Sequence, residues 1–119
     1  MILRNLTGTV DKPIIVTNGE GLVDINSNHY FGMSVRHCNH LKITGTGNSN
    51  LKYGIRILNI RGSGLSIGDY STNIETDHIE IGEILYSGII AKTEPDCNFD
   101  RNSFIQENTI IHDCHVYNT

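Results

Sequence analysis

Tryptophan is absent from this chain of 119 residues and alanine occurs once. No stretch keeps a helical apolar period without running into a glycine cluster, so no helix is expected. The three cysteines, Cys38, Cys97 and Cys114, include no Cys-x-x-Cys pair. That spacing excludes the common zinc modules, and an odd number does not form a closed disulfide framework. Buried thiols filling small core slots are expected, with one bridged pair left open for an oxidising compartment. Cationic excess is missing as well: 9 Lys and Arg stand against 13 Asp and Glu, for a net charge of −4. A nucleic-acid partner is therefore not expected. No apolar run approaches the roughly 18 residues of a membrane-spanning helix. The opening Met1-Ile2-Leu3-Arg4-Asn5-Leu6 has neither a basic head nor a long apolar segment, so this stretch shows no secretion signal. Finally, no two aspartates are adjacent.

What the chain does contain is isoleucine. Eighteen Ile, eight Leu and five Val supply the apolar side chains, and the β-branched majority favours strands. Thirteen Asn, twelve Gly, ten Thr and eight Ser fill the spaces between them. Gly and Asn tolerate positive φ and make turns. Short strands separated by frequent tight turns are the natural product of this mixture.

A phrase recurs along the chain: an aromatic, a glycine and alternating apolar residues. It is read in Tyr30-Phe31-Gly32-Met33-Ser34-Val35, in Tyr53-Gly54-Ile55-Arg56-Ile57 and in Tyr86-Ser87-Gly88-Ile89-Ile90-Ala91. A second element follows each, in Leu41-Lys42-Ile43, His78-Ile79-Glu80-Ile81 and Thr109-Ile110-Ile111. Earlier rungs are Pro13-Ile14-Ile15-Val16 and Leu22-Val23-Asp24-Ile25. The first two glycines set a period of about 22 residues, lengthened by loop insertions near 61–76 and 93–104. Strands this short bury their apolar face only by stacking coil on coil. Aligned on glycine, the expected inward columns are Met33, Ile55, Ile89 and Val35, Ile57, Ala91. A second pair is Leu41, Ile79, Thr109 and Ile43, Ile81, Ile111. The fold expected is all-β, a right-handed parallel β-helix of three to four coils forming a single segment.

Other solenoids fit less well. No Leu-x-x-Leu-x-Leu frame recurs, a six-residue period does not survive the stretch from Arg61 to Thr76, and a sandwich needs evenly spaced hairpins. The phrases His40-Leu41-Lys42-Ile43-Thr44-Gly45-Thr46-Gly47 and Glu107-Asn108-Thr109-Ile110-Ile111-His112-Asp113-Cys114 resemble the coil signature of the pectate-lyase-like right-handed β-helix superfamily. The run Gly88-Ile89-Ile90-Ala91-Lys92-Thr93-Glu94-Pro95 resembles secreted β-helix repeat proteins of Bacteroidetes. The resemblance implies an extracellular or cell-surface location and a polysaccharide partner. It says little about activity, because such coils host lyases, hydrolases, epimerases, adhesins and tailspikes. In that family an Asn often follows His-Asp and stacks in a ladder; here Cys114 takes the place. The chain stops at Asn118-Thr119 in mid-coil with no cap at either end, so further coils of a longer chain are expected around it.

Outward positions of the glycine-led strands are the natural site. They are expected to align Ser34, Arg56 and Ile90, and beside them Arg36, Leu58 and Lys92. Arg36, Arg56 and Lys92 would then line one groove and hold the carboxylates of an acidic polysaccharide. The plainer alternative is three solvated side chains stacked by the repeat. By the family resemblance, a Lys or Arg in β-helix lyases takes the proton α to a uronate carboxylate, often beside Ca²⁺. Lys92, Arg101 and His112 are accordingly the candidate catalytic residues. Glu94, Asp96 and Asp100 are the candidate Ca²⁺ ligands, against the alternative of a merely solvated acidic loop. His112 and Asp113, adjacent on a strand, point to opposite faces and are not expected to form a dyad. Asp113 is expected to bond turn amides, and His29, His37, His40 and His78 to serve at the surface or in turns. The missing Asp-Asp pair lowers the prospect of a polygalacturonase-type hydrolase. Two function classes stay open. One is a segment binding or cleaving acidic polysaccharide, cleavage being by β-elimination; the other is a non-catalytic adhesin or glycan-binding solenoid.

Overall fold

A computed structural model describes residues 1–93 and 106–119. The described residues wind through four coils, each of three strands. The first coil is β1 (Ile2–Arg4), β2 (Ile14–Thr17) and β3 (Val23–Asn26). The second is β4 (Phe31–Arg36), β5 (Asn39–Thr44) and β6 (Ile55–Leu58). The third is β7 (Ser63–Gly68), β8 (Thr72–Asp77) and β9 (Ile79–Gly82), and the fourth is β10 (Ser87–Lys92), β11 (Thr109–His112) and β12 (His115–Tyr117). Like strands stack in parallel into three sheets, which we term A (β1-β4-β7-β10), B (β2-β5-β8-β11) and C (β3-β6-β9-β12). This is a right-handed parallel β-helix, the handedness that twisted parallel strands adopt in nearly all crossovers.

Six inward columns make the core. Sheet A supplies Leu3–Val35–Ile67–Ala91 and Met33–Leu65–Ile89. Sheet B supplies Ile14–Leu41–Ile74–Thr109 and Val16–Ile43–Thr76–Ile111. Sheet C supplies Val23–Ile55–Ile79 and Ile25–Ile57–Ile81–Val116. The residues of the two middle coils are almost fully buried, whereas Leu3, Ile14, Val16, Val23 and Ile25 of the first are only partly so. Each full burial stabilises by about 1.5–3 kcal/mol, so most of the apolar stabilisation resides in coils two and three.

The coil repeat differs from the expected one. Val35 faces Leu3 and Ile67, each 32 residues away, and Ile67 faces Ala91, 24 residues on. The 22-residue step from Gly32 to Gly54 leads from sheet A to sheet C rather than from one coil to the next. Ile55 and Ile57 therefore leave the Met33 and Val35 columns, and Ile79 and Ile81 leave the Leu41 and Ile43 columns. Residues 61–76 are not a loop insertion: they hold β7 and most of β8, the centre of the solenoid. The second expected insertion, near 93–104, lies almost wholly outside the described residues.

Corners between sheets are taken by residues with positive φ, and these also stack. Asn5, His37 and Asp69 close sheet A; His40, Asn73 and Asn108 open sheet B; His78 and Asp113 close it; Asn59, Glu83 and Asn118 follow sheet C. Asn, Asp and His tolerate this conformation better than other side chains, which confirms turn roles for His37, His40 and His78. A ladder of amides links coils at the A–B corner. Asn108 Nδ2 donates to Asn73 Oδ1 at 2.8 Å, and Asn73 Nδ2 to Asn39 Oδ1 at 3.2 Å. An amide ladder thus runs at this corner, and not at the one after His112-Asp113, where Cys114 stands. Cys114 instead packs against the core, and Cys38 is buried; both are free thiols.

Candidate functional site

The outer face of sheet A carries a groove because its central strand is nearly bare. The residues of β7 that line it are Ser63, Ser66 and Gly68, with Gly62 just before the strand. Ser66 lies between Ser34 and the larger Ile90, and Gly68 between the long side chains of Arg36 and Lys92. Tyr30 and Tyr86, 65% and 75% exposed, stand at the other end of the same two flanking strands. The result is a trough of about 320 Å³ running along β7, walled by coils two and four. With parallel strands about 4.8 Å apart, its walls stand about 10 Å apart, and the six steps from Tyr30 to Arg36 span about 20 Å.

Close backbone contacts require the two glycines. A Cβ on Gly62 would lie 2.1 Å from the Tyr30 carbonyl oxygen, and one on Gly68 2.5 Å from that of Lys92. Arg36 is held in place from three sides. Its Nε donates to Ser34 Oγ at 3.0 Å, its Nη1 lies 3.4 Å from Asp69 Oδ2, and its guanidinium sits 5.7 Å from the Phe31 ring centroid. Phe31 in turn meets Tyr30 edge-on at 4.8 Å. One end of the trough is therefore aromatic. The other carries Arg36 and Lys92, with Asp69 as the one lining carboxylate among the described residues.

Comparison with protein-family models, with curated proteins and with solved structures finds no match.

Arg36 and Lys92 thus share one column, as expected, but Arg56 does not join them. It projects from sheet C, where its Nη2 donates to Asp24 Oδ2 at 2.8 Å. The bond from Arg56 holds the Asp24 carboxyl below its ordinary pKa, and Asp24 raises that of Arg56. The expected three-cation groove is corrected to a pair, because Gly54 leads into a different sheet from Gly32 and Gly88. His112 projects from sheet B. Arg101, Glu94, Asp96 and Asp100 lie outside the described residues.

His112 belongs to a second cluster that the sequence did not disclose. On the outer face of sheet B, one column runs Ile15–Lys42–Glu75–Ile110 and the next Thr17–Thr44–Asp77–His112. Lys42 Nζ lies 2.7 Å from Glu75 Oε1 and 3.1 Å from Asp77 Oδ2. Asp77, with a side chain only 3% exposed, also accepts hydrogen bonds from Thr44 Oγ1 and, at 2.8 Å, His78 Nδ1. Burial pushes the Asp77 carboxyl up, but the hydrogen bonds from Thr44, His78 and Lys42 outweigh it and hold it below the usual value. Lys42 likewise holds Glu75 down, and Glu75 raises Lys42.

Contrary to the strand-parity expectation, His112 and Asp113 do pair. Asp113 has φ 48°, which turns its carboxylate back so that Oδ2 lies 2.8 Å from His112 Nδ1. The opposite nitrogen, Nε2, lies 3.1 Å from Glu75 Oε1. Asp113 and then Glu75 raise the pKa of the imidazole. Asp77 and His78 repeat the same corner geometry one coil earlier.

Proposed function

We propose that the chain is part of a carbohydrate-binding β-helix, related to the pectate-lyase-like superfamily, that takes an acidic polysaccharide along the sheet A trough. The observation that carries this is the pairing of Arg36 with Lys92 at one end of a trough whose other end offers Tyr30 and Tyr86. A tyrosine ring stacks on the apolar face of a sugar, while guanidinium and ammonium groups suit a uronate carboxylate. Such a partner places the protein outside the cell or on its surface. Binding is favoured over cleavage because His112, one of the expected catalytic residues, lies on another sheet from Lys92. β-Elimination with Lys92 as base stays the enzymatic counterpart of the same site.

The test is calorimetric titration with oligogalacturonate and with a neutral oligosaccharide of equal length, while ultraviolet absorbance follows any unsaturated product. Selective binding of the acidic ligand is expected, weakened about tenfold by Arg36→Ala and by Tyr86→Ala, a loss of roughly 1.4 kcal/mol each. Added salt should weaken it further. Equal affinity for both ligands, or affinity unchanged by Arg36→Ala, sinks the proposal. Accumulation of unsaturated product abolished by Lys92→Ala would turn it to the lyase.

A further inference from the structure

We propose that Glu75, Asp77 and His112, on the outer face of sheet B, form a binding site for a first-row divalent cation of the zinc type. Glu75 Oε1, Asp77 Oδ2 and His112 Nε2 converge from two adjacent coils, all within 4.8 Å of one another. Nε2 stands 3.1 Å from the Glu75 oxygen and 3.8 Å from that of Asp77. Tetrahedral zinc, with bonds of about 2.0–2.2 Å, separates its ligands by about 3.3–3.6 Å, so small side-chain rotations suffice.

The supporting groups have the form such a centre needs. His112 is oriented through its other nitrogen by Asp113, and Asp77 is anchored by Thr44 and His78. Ligating imidazoles and carboxylates are commonly fixed in this way. One imidazole and two carboxylates leave a fourth position for water, and they suit zinc, not Ca²⁺ with its six to eight oxygens. The side chains of His112 and Glu75, 41% and 36% exposed, leave that position open to solvent.

Positive charge already marks the locus. The Lys42 ammonium contacts the same two oxygens, Glu75 Oε1 and Asp77 Oδ2, that would bind the metal. Lys42 is one third exposed and can swing into water, whereas Asp77 cannot follow it. Among the described residues two carboxylates contact this ammonium and a third, Asp113, bonds His112 beside it, so a divalent ion replaces Lys42 with better charge balance. The site thus exchanges an ammonium for a metal, and Lys42 sets the affinity.

Co²⁺ is the probe, read by its visible d–d absorption and by the shift in thermal midpoint of the full chain. Wild type should give a tetrahedral spectrum and a raised midpoint, and His112→Ala should give neither. Lys42→Gln keeps a donor but removes the competing charge and should tighten binding by at least about tenfold. No spectrum from wild type at millimolar Co²⁺, or a spectrum retained by His112→Ala, overturns the site. So does a folded Lys42→Gln that binds no tighter. If Lys42→Gln fails to fold, Glu75→Gln decides in its place: loss of the spectrum supports the site and retention overturns it.

Discussion

Gly64 faces Ile81 across the interior so closely that a Cβ on the glycine would fall 2.6 Å from the isoleucine Cγ2. The same atom would lie 2.7 Å from the Gly88 carbonyl oxygen, which cannot move aside as a side chain does. Gly32 stands in this relation to Ile57, and Gly88 to Val116. The glycine column is therefore set by close approach where sheet A begins; among the glycines only Gly19 has positive φ. Gly64→Ala should lower stability by about 2 kcal/mol or more, measured as a lower urea midpoint. Gly21, with nothing within 4 Å of its Cβ position, is the control, and Gly21→Ala should leave the midpoint almost unchanged. Equal midpoints for the two variants would contradict this packing.

Thr76 occupies a core column between Ile43 and Ile111, and its Oγ1 is buried without a hydrogen-bond partner among the described residues. A buried hydroxyl left unsatisfied costs about 1–3 kcal/mol. Thr76→Val keeps the shape and removes the hydroxyl, so the variant should be more stable by about 1 kcal/mol in urea unfolding. A less stable variant would mean that the hydroxyl is satisfied.

At the surface of sheet C, Arg56 holds Asp24 below its ordinary value of 3.8. A carboxyl depressed on folding contributes stability above its unfolded pKa and loses it as the pH falls through the lower, folded value. The contribution of this pair should thus be present at pH 5 and vanish on acidification below 3.8. Both partners are exposed to solvent, which screens them. Asp24→Asn should therefore lower stability only slightly at neutral pH, and the difference from wild type should disappear on acidification below 3.8. A large loss at neutral pH would show the pair to be structural.

The strand character and the solenoid were legible because isoleucine alternation and turn residues both report local geometry. Coil register was not, and Tyr53-Gly54 shows why. Gly54 answers a different constraint, since its Cβ would strike Gly45 and Asn18 at the B–C corner of coil two. It mimics the phrase of Gly32 and Gly88 without sharing their sheet. The true phrase places each sheet A glycine nine residues after Val23, Ile55 and Ile79, giving Gly32, Gly64 and Gly88.

The same misregister hid the sheet B cluster. Once 61–76 is taken for a loop, the two-residue spacing of Glu75 and Asp77 loses its meaning as one strand face. Lys42 then has no visible partner. His112 and Asp113 were separated for another reason: strand parity ends where φ turns positive, and Asp113 is such a corner. Arg36 and Lys92 were found together because both follow glycines of the genuine column.

The trough along β7 is tested most directly by titrating isotope-labelled protein with oligogalacturonate and following backbone amide shifts. The account predicts changes concentrated at Tyr30–Arg36, Ser63–Asp69 and Tyr86–Lys92, saturating with ligand and diminished in Arg36→Ala. Changes centred on sheet B or sheet C, or no saturable change, would contradict it.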